Sequence, residues 1–467
     1  MRVKIDVVTR DRIELSADTP KGAKSDPNAD RFAWKATDVE IIEADDPRHH
    51  NNNDDYIEVD LGDEYVAFRA EMREWIKDNI PSGLKELADW SWQPVAGGKR
   101  GAALAKATAD PIYKEWMRRL LDAKLICAQW PVEFGGRGWD SIRFAVFNEE
   151  LRRQGVPAVR RGMGESLVGP PIMAHGTPEQ QAYFLPRIVS GEDVYCQGYS
   201  EPNHGSDLGA VETKGVVDGD ELVITGQKTW TSGAQSANMI FVLCRTNPDV
   251  PKHRGLSYVL VPFSKENGVT VLPLRQMSGA SGFCEDFLDG ARAPLFNVIG
   301  GLNNGWAPAM TTLGFERGGN ATTAHLGFEQ ELWDLIGLAR KNGKVQDPLI
   351  RQRLAWCYTQ VQLMRYAGLR LLASLAEGRQ PGPEASISKL FWSEYHKTFG
   401  EIAIDVVGAD AMIRPDGEGY ATDEWQDVFF ASRAGTIYSG TSQIQKNIIG
   451  ERALGLPRES KRAEGKA

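Results

Sequence analysis

One stretch, Tyr195 to Arg245, constrains the fold class more tightly than any other part of the chain. It begins with a polar-aromatic run, Tyr195-Cys-Gln-Gly-Tyr199, passes through Ser200-Glu201-Pro202 and turns at Gly205-Ser206-Asp207. Pro202 fixes one backbone dihedral and Gly205 frees another, so the segment reads as a shaped loop. Successive backbone N–H groups beside a serine hydroxyl make such a loop a candidate anion cradle. Two short strands are expected next, Glu221–Ile224 and Lys228–Ser232, separated by a break at Gly226. In the second, the two-residue period puts Trp230 and Ser232 on one face. An aromatic surface beside a hydroxyl suits a flat, redox-active ring.

The two-residue period persists over 192–300, with further short strands expected at Met239–Leu243, Leu256–Pro262 and Val269–Leu272. On either side it gives way to helical spacing. Upstream, Tyr65, Phe68, Met72, Trp75 and Ile76 share a helical face that Pro81 ends. Asp110-Pro111 is an N-cap and first-turn pair for a helix burying Trp116, Met117, Leu120 and Leu121. A turn-rich connector, Trp130 to Gly138, precedes a helix at about Ser141–Gln154, and Thr177-Pro-Glu-Gln180 is a capping box opening another. Downstream, one helix is expected from Gly305-Trp306 to about Arg340 and a second from Asp347-Pro348, with Ile350, Leu354, Cys357, Tyr358, Val361, Met364, Leu371 and Leu375 in register. A third, from about Pro383, is expected to bury Ile387, Leu390, Phe391, Tyr395, Phe399, Ile402 and Val406.

The fold class is therefore α+β and multidomain. An atypical, partly disordered extension (1–58) precedes an N-terminal helical domain (59–191), a β-domain (192–300), a C-terminal domain of four-helix-bundle type (301–458) and a polar tail (459–467). His49 and His50 sit in a polar, low-complexity run and read as solvated linker rather than metal ligands. At 467 residues several packed units are expected. A net charge of −9 argues against a nucleic-acid partner, and no apolar run approaches a membrane span. The five cysteines, Cys127, Cys196, Cys244, Cys284 and Cys357, form no C-x-x-C pair, as expected for reduced core residues of a cytoplasmic protein.

The order Ser-Glu-Pro-x-x-Gly-Ser-Asp followed by Gly-Gln-Lys-x-Trp-x-Ser closely resembles the flavin-binding signature of the acyl-CoA dehydrogenases, and the resemblance extends over roughly 60–458. It implies that flavin lies between the β-domain and the C-terminal helices. It also implies removal of two hydrogens from an acyl-CoA thioester, with electrons passed to an electron-transferring flavoprotein. It places Gln197, Tyr199, Ser200, Gly205, Ser206, Trp230 and Ser232 around FAD: Ser200 and Ser232 on the isoalloxazine, Ser206 on the pyrophosphate and Trp230 over one ring face. A second signature, Ile437-Tyr-Ser-Gly-Thr-Ser-Gln443, matches the family's Tyr-Glu-Gly-Thr stretch and brings Thr441 and Gln443 to FAD.

Three departures carry consequences. Ser439 stands where many members have the catalytic glutamate, and a serine of ordinary pKa is a poor proton acceptor. Its backbone N–H can still polarise the thioester carbonyl. A minority of the family carries its glutamate on the first long helix after the β-domain, before an arginine, which here matches Glu316-Arg317. The Arg-x-x-Phe-Gly motif that reaches a neighbouring subunit's FAD keeps Arg340 but loses its phenylalanine, and Gln-x-x-Gly-Gly becomes Asp405-Val-Val-Gly408-Ala. An acidic Asp405 beside a diphosphate would be unfavourable. Such losses resemble the heteromeric enzymes of steroid catabolism. Tetramers are expected, of this chain alone or of two copies with a sister chain. Two rivals to dehydrogenation of a bulky acyl-CoA stay open: a non-catalytic subunit of a heteromeric enzyme, and a flavin oxidase or monooxygenase on the same fold.

Overall fold

The structure, a computed structural model, describes residues 63–88, 106–157, 162–318, 323–376, 385–413 and 422–458, with the side chains of 316–318, 375–376 and 385 excepted. The chain divides into units 1–66 and 67–467. Of the first, only the opening turn of a helix is described; the extension, His49, His50, Leu375 and the polar tail lie outside the described residues.

The first helical segment is built on strong local signals. Helix α1 (Asp63–Asn79) buries Phe68, Met72 and Ile76. In α2 (Pro111–Asp122) the Asp110 carboxylate accepts from the Ile112 N–H and Pro111 takes a position where no N–H is needed. Helix α3 (Ser141–Arg153) carries Glu150, whose fully buried carboxylate accepts from Arg69 at 2.9 Å and Arg73 at 3.0 Å and so ties α1 to α3. A short helix α4 (Gly169–His175) precedes α5 (Pro178–Ser190), where both halves of the Thr177/Gln180 capping box form. Met117 and Leu121 end half-buried, while Trp116 and Leu120 form the buried face.

Eight strands follow: β1 (Tyr195–Gly198), β2 (Lys214–Asp218), β3 (Glu221–Ser232), β4 (Met239–Arg245), β5 (Leu256–Pro262), β6 (Val269–Leu274), β7 (Phe283–Pro294) and β8 (Val298–Ile299). They form one sheet in the order β6-β7-β3-β2-β4-β5-β8, with β1 parallel to β4. Its core gathers Cys196, Leu222, Ile224, Ile240, Val242, Cys244, Val259, Val261, Cys284 and Leu288.

The expected break at Gly226 does not occur. β3 runs unbroken through it, and the register against β7 shifts between Ile224 and Gly226. A Cβ at Gly226 would sit 2.5 Å from Thr213 Oγ1, so the glycine is there for close approach of the 213 segment rather than to end a strand.

Four helices make the C-terminal bundle: α7 (His325–Lys341), α8 (Pro348–Ala376), α9 (Ala385–Val407) and α10 (Glu424–Gly435). Leu332, Leu335, Leu354, Cys357, Val361, Phe399, Ile402, Val406 and Val428 share their core. The single helix expected from Trp306 to Arg340 is instead α6 (Trp306–Gly318) and α7. At the start of α9, Ile387 is 44% exposed and Leu390 half-buried, whereas Ser386 and Lys389 are buried. The inward face of that turn is taken by the Lys389 side chain, which reaches a loop beyond α10. The five cysteines are buried and unbridged. Among the described residues no helix is long and apolar enough to cross a membrane and no cluster suited to a metal ion is present.

Candidate functional site

The β-domain contributes a surface organised by one irregularity. A second register shift in the β3–β7 ladder falls between Thr229 and Thr231, so Trp230 is an extra residue with no partner across the ladder. Its φ is +62°, a left-handed conformation that costs a bulky side chain free energy and is held only where surroundings impose it. The bulge carries the indole outward, 62% exposed and edge-on to Phe283 at 6.1 Å. The Thr229 N–H donates to the Ser200 carbonyl at 2.9 Å, which sets the Ser200 loop beside the bulge. Half-buried Ser232 follows, half-buried Gln197 lies on β1, and Tyr199 is buried against Phe241 and Tyr258. Gly205 and Ser206 are exposed, and the space around the Gly205 Cα is open. Thus Tyr199, Ser200, Trp230 and Ser232 come together.

What holds this loop was not anticipated. Lys228 is fully buried and donates to Glu201 Oε1 at 2.9 Å, to the Leu243 carbonyl at 2.9 Å and to the Tyr199 carbonyl at 3.2 Å. Glu201 also accepts from the N–H groups of Glu212 at 2.6 Å and Thr213 at 2.8 Å. Burial alone would raise the Glu201 carboxyl; the ammonium and these N–H donors outweigh it and leave it below the usual carboxylate range. A charged residue in a strand flanked by Gln227 and Thr229 gives no sequence sign of being the most buried of the three.

The C-terminal signature forms a tight loop. Ser439 has φ +52° and Gly440 φ +87°, and Thr441 then caps helix α11 (Ser442–Ile448). The Thr441 hydroxyl oxygen accepts from the Ile444 N–H at 3.1 Å, so its acceptor is committed to the cap, and Gln443 projects exposed from α11. Fully buried Gln445 donates to the Ser439 carbonyl at 2.8 Å, and buried Lys389 donates to the carbonyls of Gly435 at 2.9 Å and Gly440 at 2.7 Å. Neither Gln445 nor Lys389 was singled out from the sequence.

Helix α6 is seated on the sheet at its first turn. Gly305 N–H donates to the Leu256 carbonyl at 2.7 Å, and a Cβ at Gly305 would lie 2.3 Å from Tyr258 N. Further along, Thr312 donates to the Leu167 carbonyl at 3.0 Å and meets Tyr258 at 3.5 Å, and Thr311 pairs with His175 at 2.8 Å. Glu316 and Arg317 occupy the next turn of the helix; their side chains lie outside the described residues. Just before this pair, Phe315 is 52% exposed, and among the described residues a Cβ at Gly314 would meet open space.

Arg340 and Gly408 do not join this group. Arg340 ends α7, and Gly408, at φ +75°, follows α9. From Lys389, which touches the Ser439 loop, to Val407 is about 27 Å along α9. Asp405, expected to be unfavourable beside a diphosphate, is paired with Arg353.

Two buried carboxyls border the β-surface. Burial pushes Asp286 on β7 and Asp427 on α10 up to about 6 each. Ser278 offsets part of the shift at Asp427, and Thr422 Oγ1 donates to the Ser278 carbonyl at 3.4 Å, so the β6–β7 loop is docked on α10. A cavity of about 470 Å³ against α2, lined by Thr108, Tyr113, Lys114 and Met117, contains none of the candidate residues.

Comparison with known proteins gives three family matches: the N-terminal domain of the acyl-CoA dehydrogenases over residues 62–192, their middle domain over 196–289 and their C-terminal domain over 303–454. The acyl-CoA dehydrogenase IpdE1 of Mycobacterium tuberculosis is 42% identical over 395 residues, covering 84% of this chain and 98% of the relative. Among solved structures, the Tcur3481-Tcur3483 steroid ACAD aligns with a TM-score of 0.69 at 28% identity, covering 85% of this chain and 98% of that one. The ChsE4-ChsE5 complex from Mycobacterium tuberculosis aligns with a TM-score of 0.66 at 26% identity, covering 86% and 100%.

Proposed function

The chain belongs to the acyl-CoA dehydrogenase family, and on that premise we propose that it oxidises a bulky, steroid-derived acyl-CoA to the 2-enoyl-CoA. The observation that carries the reading is the outward-turned Trp230 beside Ser200 and Ser232. An exposed indole held out by a bulge, with two serines next to it, fits the face and polar edge of an isoalloxazine. Open space at Gly205 beside exposed Ser206 fits a pyrophosphate on backbone N–H groups. When bound, FAD supplies the hydride acceptor. Gln197, Tyr199, Ser200, Gly205, Ser206, Trp230, Ser232, Thr441 and Gln443 hold and orient it.

Glu316, followed by Arg317, is the base that takes the α-proton, and the Ser439 N–H steadies the thioester carbonyl as negative charge moves onto it. A serine in place of a glutamate at 439 leaves side-chain volume for a large acyl group. The bulky-substrate reading is further supported by the relatives, one of which is described as a steroid ACAD.

Gly408, just beyond the end of α9 and about 27 Å along it from the Ser439 loop, and Arg340 near the end of α7 serve a neighbouring subunit's FAD. That arrangement supports a tetramer. Two copies with a sister chain is the favoured form, since two similar structures are described by paired chain names. An electron-transferring flavoprotein is the electron acceptor.

The test is flavin absorbance of the purified protein, with and without sister chains, followed by anaerobic bleaching with a panel of acyl-CoAs. Bleaching by a steroid-side-chain or ring CoA ester is expected, and Glu316→Gln should lower kcat by roughly 10²–10⁴-fold with FAD content unchanged. A folded protein that stays colourless with added FAD refutes the reading. Full turnover by Glu316→Gln removes Glu316 as the base. Bound flavin that no acyl-CoA bleaches, in an assembly whose sister chain is active, would make this the non-catalytic subunit.

A further inference from the structure

Between α10 and α11 the backbone makes a conformation it would not hold alone. Ser439 lies at φ +52° and Gly440 at φ +87°, so two consecutive residues are left-handed and one is not glycine. Two buried side chains impose it. Gln445 takes the Ser439 carbonyl, and its Nε2 lies where a Cβ on Gly440 would need to be, 2.5 Å away. Lys389 takes the Gly440 carbonyl at 2.7 Å and the Gly435 carbonyl at 2.9 Å, bridging the two ends of the loop. Its ammonium also lies 6.0 Å from the Tyr438 ring and 5.9 Å from the Trp392 ring, within cation–π reach of both. The Tyr438 N–H donates to the Ala434 carbonyl at 3.1 Å, which fixes the peptide between Ile437 and Tyr438 just ahead of the turn.

A lysine at a helix C-terminus is ordinarily a cap, and the Gly435 contact alone would be that. The Gly440 contact goes further. No peptide bond of the described chain is cis, so a carbonyl drawn inward turns the N–H of the same peptide unit outward. Gln445 and Lys389 draw the successive carbonyls of Ser439 and Gly440 inward, which turns the N–H groups of Gly440 and Thr441 outward. We infer that Lys389, together with Gln445, is a positioning residue that holds the left-handed course of residues 439–440 and so sets the direction of the Gly440 and Thr441 N–H donors toward the acyl thioester. This rests on the acyl-CoA reading proposed above. Neither side chain need touch substrate.

The experiment uses the FAD-loaded assembly with Lys389→Met and Gln445→Met. Amide hydrogen exchange of the 436–443 segment is measured alongside kcat and KM for the acyl-CoA that bleaches the wild type. Expected are exchange at least about 10-fold faster in that segment, unchanged FAD content and a kcat lower by roughly 10–100-fold with KM within a few-fold, as displaced donors produce. A cap alone would lower the melting temperature and leave segment exchange and kcat as in wild type; that result overturns the inference. If Lys389→Met does not fold, Gln445→Met, which removes only the Ser439 contact, decides by the same criteria. If no acyl-CoA reduces the wild type, the functional reading fails, while unchanged or accelerated exchange still decides whether the side chains hold the loop.

Discussion

Replacing Asp286 by asparagine should stabilise the protein, and only above a defined pH. Asp286 is fully buried on β7, and neither carboxylate oxygen meets a hydrogen-bond donor in good geometry. Its direct cross-strand neighbour is Lys228, but that ammonium is turned to Glu201 and two carbonyls. Burial is the dominant cause lifting the Asp286 pKa from 3.8 to about 6, and Thr231 offsets only part of it. Below pH 3.8 the group is protonated in native and unfolded chains alike and costs nothing. Between 3.8 and about 6 the native state holds the proton that the unfolded state releases, so stability falls as pH rises. Above about 6 the deficit is constant, at about 3 kcal/mol for a shift of roughly two units.

Asparagine has nearly the shape of the protonated acid and cannot ionise. Asp286→Asn should therefore match the wild type near pH 4 and exceed it by up to about 3 kcal/mol at pH 7.5. Urea unfolding of the loaded assembly at pH 4 to 8 measures the difference. Asp427, also raised to about 6, is common to both proteins and cancels in the comparison. A difference that does not vary with pH, or an asparagine variant that is weaker at pH 7.5, would refute the reasoning.

Lys228→Met leaves Glu201 buried without its cation and should cost about 3–5 kcal/mol in the same urea assay; a loss under about 1 kcal/mol would show that Glu201 finds other support. Trp230→Ala should weaken FAD retention on gel filtration and shift the flavin absorbance bands, and a variant that keeps both unaltered removes the indole from the flavin face. FAD stoichiometry by absorbance separates the assembly forms: one FAD per chain in a tetramer of this chain alone leaves no need for a sister subunit, whereas flavin retained only on mixing with one supports shared sites.

The parts of the fold legible in the sequence were those decided locally. Asp110-Pro111 and the Thr177/Gln180 box act within one helical turn, and both form as expected. Strands β2 and β7 were missed because their identity comes from partners: β7 carries Glu285, Asp286, Asp289 and Arg292, and it becomes a strand through pairing with β3 and β6. Gly226 misled because the same residue serves a break and a close approach. In the candidate site, residue types and order pointed to Ser200, Trp230 and Ser232, which do assemble, but the two-residue period could not reveal the bulge that turns Trp230 outward. Lys228, Lys389 and Gln445 were invisible, since a buried polar side chain is defined by acceptors distant in sequence.

The pairing of the first and last strands has a further meaning. β1 lies beside β4, β4 beside β5 and β5 beside β8, so the strands by which the chain enters and leaves the sheet are three strand spacings, about 14 Å, apart across it. The helical segments on either side touch directly, through His175 with Thr311 and Leu167 with Thr312. The β-domain is thus a module inserted into a helical protein that is already continuous behind it. A joint of that kind lets loops on the sheet lengthen, shorten or change composition without moving the helices, so the surface around Trp230 and the bundle can diversify independently. Groups that cross the joint, among them the Gly305 N–H and the side chains of Thr312, Thr422 and Asp427, bind the two histories together.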